Sequence, residues 1–156
     1  MSHQTGQDAV DAYLRIIEER IVRPIKKTGV EESCTATLLL LFAAIDGLGK
    51  LLDADDHAGS NKRIRTFLDY MGGDYKVRKK KLLGLRNSLA HSAINVESFL
   101  SRTETPSDHH LKEVRSVDFI YVNTLLMYRD FVDAFLRFRA DLASNPTLRT
   151  RAERTS

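Results

Sequence analysis

The segment Leu82 to Val96 reads LLGLRNSLAHSAINV, and it sets an arginine, an asparagine and a histidine into an otherwise apolar helical pattern. Arg86 and Asn87 are adjacent, and His91 follows Arg86 by five residues. Directly upstream, Lys76 to Lys81 reads KVRKKK, five cations in six positions. Residues of these types can cleave RNA without a metal. That reaction needs a base for the 2′-hydroxyl, an acid for the 5′-oxygen and a cation for the charge that builds on phosphorus. A histidine titrating near neutrality serves as base or acid. Arginine offers phosphate oxygens a fixed bidentate fork. Lysines on the same face steer a polyanion toward the site.

Each of these residues also has a purely structural reading. A half-buried arginine snorkels. A histidine near a helix C-terminus is favoured by the helix dipole. The asparagine and the KVRKKK run can simply form a solvated face. At about 100° per residue, Tyr75, Leu82, Leu85 and Leu89 form one stripe with Arg86 at its edge, while Lys76, Lys80, Asn87 and His91 gather elsewhere. Five such steps separate Arg86 from His91 by about 140°, so one straight helix does not aim both at a single phosphate. Either the helix loosens over Leu89 to His91, or two copies of the chain complete the site across a two-fold axis.

The elements that must hold these residues are helical. Val10, Tyr13, Leu14, Ile17 and Ile21 mark a first helix over about Gly6 to Arg23, with Thr5 and Asp8 as an approximate capping box and Pro24 ending or kinking it. A second helix, about Glu32 to Leu52, is apolar nearly all round from Ala36 to Ile45 and belongs in the middle of a bundle. The loop DADDHAGSN resembles a calcium loop but has Ala58 where the sharp turn needs glycine, and no metal site is expected. Ser60 caps a third helix carrying Ile64, Phe67, Leu68 and Met71, which Gly72 and Gly73 stop. Asp74 caps the fourth, motif-bearing helix. The last begins near Asn123 and reads NTLLMYRDFVDAFLRFRADLA. Between them, INVESFL and KEVRSVDFIYV flank the polar turn RTETPSD and predict a short β-hairpin. RTRAERTS is basic, lacks apolar stripes and is expected to be disordered.

The chain has 156 residues, 42% hydrophobic and 29% charged, the composition of one globular domain. Its net charge of +3, from 24 basic and 21 acidic residues, argues only weakly for a polyanionic partner. MSHQTGQDAV leads into no apolar run, and Leu38 to Ile45 is too short to cross a bilayer. Cys34 is the only cysteine, so no internal disulfide forms and a reducing cytoplasm is expected.

RNSLAH, residues 86 to 91, resembles the arginine–polar–three-residue–histidine motif of HEPN domains. LLLLFAAIDGLGKLL, an apolar helix ending in an acidic residue, followed by the motif helix and a final amphipathic helix, is similar to that family over Thr35 to Leu142. The resemblance implies a compact all-α, HEPN-like bundle. With the hairpin and the basic tail read from the residues, the expectation is four to five helices with a hairpin before the last, spanning residues 1–145 and followed by a disordered basic tail, 146–156. It implies a homodimer in the cytoplasm that cuts RNA without metal or other cofactor, in toxin–antitoxin, anti-phage or RNA-processing systems, with an antitoxin or regulatory protein as a further partner and no membrane. By position in the motif, Arg86 and His91 are catalytic, Asn87 is a polar support and Asp46 a supporting acid. Asp46 is also the expected partner of the Arg86 guanidinium. Lys76 and Lys80 form the RNA-binding face. Ala93 stands where nucleotidyltransferase-controlled members carry a modifiable tyrosine. The alternatives are a non-catalytic module that binds RNA, nucleotides or proteins, and a helical scaffold whose motif is structural.

Overall fold

The apolar stripes fold as helices, and six helices account for most of the residues that the computed structural model describes: 2–24, 33–91, 100–101, 110–113 and 120–155. These are α1 (Ser2–Ile17), α2 (Cys34–Leu52), α3 (Ser60–Met71), α4 (Gly73–His91), α5 (Thr124–Ser144) and α6 (Pro146–Thr155), with the short strands β1 (Leu100–Ser101) and β2 (Val122–Asn123) before α5. The fold is all-α. Val10, Leu14 and Ile17 of α1, Ile64, Phe67 and Leu68 of α3, and Tyr75, Leu82 and Leu85 of α4 are buried as their spacing requires. On α5, Met127, Phe131, Ala134, Phe135 and Phe138 follow the same rhythm and enter the same core. Phe67 and Phe138 meet edge to face with ring centroids 6.1 Å apart, a geometry that adds to simple area burial.

Helix ends follow local chemistry in part. Ser33 caps α2 by accepting from the Ala36 N–H. Asn123 caps α5 with its side-chain oxygen on the Leu125 and Leu126 N–H groups. Thr5 lies inside α1 rather than ahead of it, and Asp74 lies in the first turn of α4, which starts at Gly73. Gly59, not Ser60, precedes α3, because the Ser60 hydroxyl is taken by Asp46. After Ile17 the chain widens into a π-helical turn, Glu18–Val22. Pro24 follows, and its ring would crowd the carbonyl four residues back in a regular α-turn. The Tyr128 hydroxyl donates to the Val22 carbonyl at 2.9 Å and fastens this turn to α5.

Three expectations are corrected. Residues 146–155 of the expected disordered tail are ordered: Pro146–Thr155 is helical, with Ala152 and Thr155 buried. Asn145 caps it through the Leu148 N–H, and Arg149 pairs with Glu153 one turn on. Arg151 donates to the Leu52 carbonyl at the C-terminus of α2, where a cation satisfies an orphan acceptor. The hairpin differs as well. β1 and β2 pair in parallel, Leu100 with Val122 and Ser101 with Asn123. The antiparallel contacts lie inside the second segment, with Glu113 opposite Ile120 and Leu111 bonded to Tyr121. Residues 94–99 and the turn 102–108 lie outside the described residues. Finally, α2 is not enclosed all round. Leu38, Leu41, Phe42, Ala44, Ile45, Leu48 and Leu51 are buried, but Ala36, Leu39, Leu40 and Ala43 form an exposed apolar stripe.

The whole of α2, unlike the run Leu38 to Ile45 alone, is long and apolar enough to cross a membrane by length and composition, with 19 residues and mean hydropathy 1.6. It carries Asp46 and Lys50, and half of it is buried against its neighbours.

The contact that sets α3 on α2 is a glycine. A Cβ on Gly49 would overlap the backbone carbonyl of Arg63, so only glycine lets the two backbones approach this closely. Gly84, exposed on α4, has nothing within 4 Å of such an atom. Gly49→Ala is therefore expected to cost about 1–3 kcal/mol, and Gly84→Ala to stabilise by about 0.5–1 kcal/mol. Thermal denaturation of the two variants checks this; equal melting temperatures would refute the close packing.

Candidate nucleic-acid interface

Helices α3 and α4 form an antiparallel pair joined at Gly72, so the start of α3 lies beside the C-terminal half of α4. Their seam opens into a shallow groove of about 790 Å³ lined by Ser60, Asn61, Lys62, Arg65, Arg86 and Asn87. It runs on, past Asn61, Arg65 and Asn87, into a second part of about 290 Å³ bounded by Lys80, Lys81, Leu83 and Gly84. Arg86 is half-buried beside Leu85, and its Nη1 donates to the Asn87 Oδ1 at 3.1 Å. The asparagine oxygen thus holds the guanidinium at the groove.

Asp46 does not pair with Arg86. Its carboxylate accepts from Arg63 Nε at 2.6 Å and Nη2 at 3.1 Å, and from the Ser60 hydroxyl at 2.9 Å. The close approach at Gly49 brings Arg63 over Asp46, while Arg86 lies across the seam on another helix. The hydrogen bond from Arg63 to Asp46 holds the guanidinium pKa above its ordinary value. Tyr13 lies close by: its hydroxyl occupies the space a Cβ on Gly47 would need. Burial first, and then the Asp46 charge, raise the Tyr13 pKa. Asp46 therefore acts on the groove through α3, by fixing the wall opposite Arg86.

The KVRKKK run divides in the fold. Arg78 is paired with Glu113, and Lys79 with Asp69 at 2.7 Å. Lys76 and Lys80 are exposed and have no acidic partner among the described residues. Lys80 lines the groove; Lys76 is not among its lining residues. The backbone of His91 is the last residue of α4, and α4 stays regular from Arg86 to that point. The side chain of His91 lies outside the described residues. The acidic loop after α2 is knitted to α3: Asp53 accepts from the Thr66 hydroxyl at 2.6 Å and from the Asp55 N–H, and Lys62 lies beside both carboxylates. Burial opposes ionisation of Asp53, but these bonds outweigh it and lower its pKa.

A second titratable cluster, not anticipated from the sequence, joins α4, α5 and the strand region. The Tyr75 hydroxyl donates to Asp130 at 2.7 Å and lies 3.0 Å from His110 Nε2. The Asn123 N–H donates to His110 Nδ1 at 3.0 Å. Nδ1 is therefore an acceptor, which makes His110 the neutral tautomer with its proton on Nε2, donated to Tyr75. Burial lowers the His110 pKa, against the opposing charges of Asp130 and Asp74. Burial and Asp130 raise that of Tyr75. His110 falls in a polar stretch of sequence, and only the weak alternation of KEVRSVDFIYV hinted that the region packs.

Comparison with protein-family models, with curated proteins and with solved structures gives no match. The functional reading therefore rests on the sequence motif together with the geometry of the groove.

Two outcomes are expected. In double-mutant cycles, Asp46→Ala with Arg63→Ala should show coupling of about 1.5–3 kcal/mol, the range for hydrogen bonds to charged groups, whereas Asp46→Ala with Arg86→Ala should be additive; the reverse result would restore the Asp46–Arg86 pairing. For His110, a pKa lowered by folding means that the unfolded chain binds more protons below about pH 6.5, the ordinary value. Its contribution is present in full above that pH and is lost as the pH falls through it. His110→Gln, which can still accept from Asn123 and donate to Tyr75, should flatten the decline in melting temperature between about pH 7 and 5. A wild-type slope in that variant would show that His110 is not the group involved.

Proposed function

We propose that this chain is a metal-independent endoribonuclease of HEPN type, acting as a homodimer in the cytoplasm in defence or RNA processing under the control of an antitoxin or regulatory protein. One observation carries the reading: Arg86, oriented by Asn87, stands in an open groove whose lining, among the described residues, contains cations and no carboxylate. A guanidinium held this way suits the equatorial oxygens of a phosphorane. His91, at the end of the same helix, supplies the proton transfers. The base takes the 2′-hydroxyl proton, the 2′-oxygen attacks phosphorus and the bond to the 5′-oxygen breaks. The acid returns a proton to that oxygen. The products are a 2′,3′-cyclic phosphate and a 5′-hydroxyl.

The regularity of α4 through His91 supports the two-copy form of the site. Backbone positions 86 and 91 remain about 140° apart around one helix axis, and a two-fold axis supplies a second histidine and a second arginine. The apolar stripe Ala36, Leu39, Leu40 and Ala43 on α2 offers area that a second copy would bury. A second reading, a non-catalytic RNA-binding module, is favoured by the exposed Lys76 and Lys80, which suit phosphate contacts without any need for His91.

The test is cleavage of single-stranded RNA in EDTA by wild type, His91→Ala and Arg86→Ala. Wild type should yield cyclic-phosphate ends, and each variant should lose at least about a hundredfold in rate, the low end for a general acid–base group. A mixed dimer carrying one Arg86→Ala and one His91→Ala chain should recover part of the activity. Binding without cleavage by all three proteins would select the module reading. Cleavage abolished by EDTA and restored by magnesium would refute the metal-independent mechanism.

A further inference from the structure

The cations on α3 and α4 differ in what neutralises them. Lys62 lies against Asp53 and Asp55, Arg63 against Asp46, Arg78 against Glu113 and Lys79 against Asp69. Arg65, Lys80 and Arg86 have no acidic partner among the described residues, and all three line the α3–α4 groove. Arg65 is exposed on the α3 wall and borders both parts of the groove, as do Asn61 on its own helix and Asn87 opposite. Cations of one sign lining a cleft focus the potential there and raise the local concentration of an anion.

We propose that the α3–α4 seam is a track for the backbone of a single RNA strand, and that Arg65 grips the phosphate next to the one at Arg86. The inference rests on the ribonuclease reading for the identity of the strand, but not for its binding. Lys80 and Arg86 are about 9 Å apart along the helix axis and about 120° apart around it, so each lines a different part of the groove, while Arg65 borders both parts from the other wall. A strand passing from one part to the other meets Lys80, Arg65 and Arg86 in turn. The two parts of the groove, about 790 and 290 Å³, each have room for a nucleotide. Asn61 and Asn87, from opposite walls, present amides to ribose hydroxyls or base edges, as single-strand recognition requires. Arg65 is a binding and positioning residue: it holds the strand, and Arg86 with His91 acts on it.

The experiment uses the full chain and a fluorescent 2′-O-methyl oligouridylate, which binds but lacks the 2′-hydroxyl nucleophile. Its affinity is measured by anisotropy over a series of salt concentrations. Arg65→Ala should weaken binding about three- to tenfold and reduce the slope of log affinity against log salt by about 0.7, the loss of one phosphate contact on a single strand. Arg65→Lys should keep the slope, and Arg129→Ala, an exposed cation on α5 outside the groove, should leave affinity and slope unchanged. Thermal melts of each variant separate a lost contact from a lost fold. A wild-type slope in Arg65→Ala overturns the track even if the protein cleaves RNA in EDTA. An Arg65-dependent slope without cleavage upholds the track and removes only the nuclease reading. Equal Arg65-dependent binding of poly-glutamate would overturn the assignment to RNA.

Discussion

Asp46 and Arg63 lie 17 residues apart on different helices, and the two hydrogen bonds between them hold α3 at a fixed depth on α2. The bond exists because Gly49 lets the α3 backbone ride against α2 without an intervening Cβ. Ser60 joins the same carboxylate and anchors the first turn of α3. Everything at the candidate interface depends on that placement. Asn61, Lys62 and Arg65 form a wall facing Arg86 and Asn87 because the start of α3 is pinned there. A half-exposed ion pair is ordinarily worth little. This one is bidentate, has a third hydrogen bond and sits over a backbone contact that glycine alone permits, so its geometry is over-determined.

The charge pattern of α4 follows from its neighbours. Its apolar stripe is buried by α3 and the core, and the cations around it are sorted by whichever carboxylates the fold brings near. Glu113 comes from the strand region and Asp69 from α3. Of the α4 cations with no acidic partner among the described residues, Lys80 and Arg86 lie along the seam and Lys76 lies outside it. The chemistry available at the groove is thus a remainder: it is set as much by which cations the fold neutralises as by which the sequence supplies.

The strand region is tied down through polar bonds more than through its own pairing. Asn123 caps α5 with its side chain and donates its N–H to His110, while Thr124 donates to the Ser101 carbonyl at 3.1 Å. His110, Tyr75 and Asp130 then connect this region to the start of α4. The helix that carries Arg86 and Asn87 is therefore held at one end by a part-buried hydrogen-bond chain and along its flank by α3. Two independent attachments leave little freedom in the position of Arg86.

The helices were legible in the sequence, because apolar spacing of three and four is a local property of the chain and each buried stripe is recorded within one turn of itself. The start of α5 near Asn123 and the Arg86–Asn87 adjacency belong to the same local order. A signal for α6 was also present, an asparagine cap followed by Pro146 at the first helical position, but its stripe of Leu148 and Ala152 is too sparse to read before α1 and α2 are there to cover it. The parallel pairing of β1 with β2, the partner of Asp46 and the neutral state of His110 were not in the sequence at all. They depend on which backbone comes within hydrogen-bonding reach, and that is set by interhelical depth at Gly49 and by burial, which only the assembled core supplies. The sequence determined which residues carry charge and which face of each helix is apolar; the tertiary structure decided which of those charges find partners and which are left facing the groove.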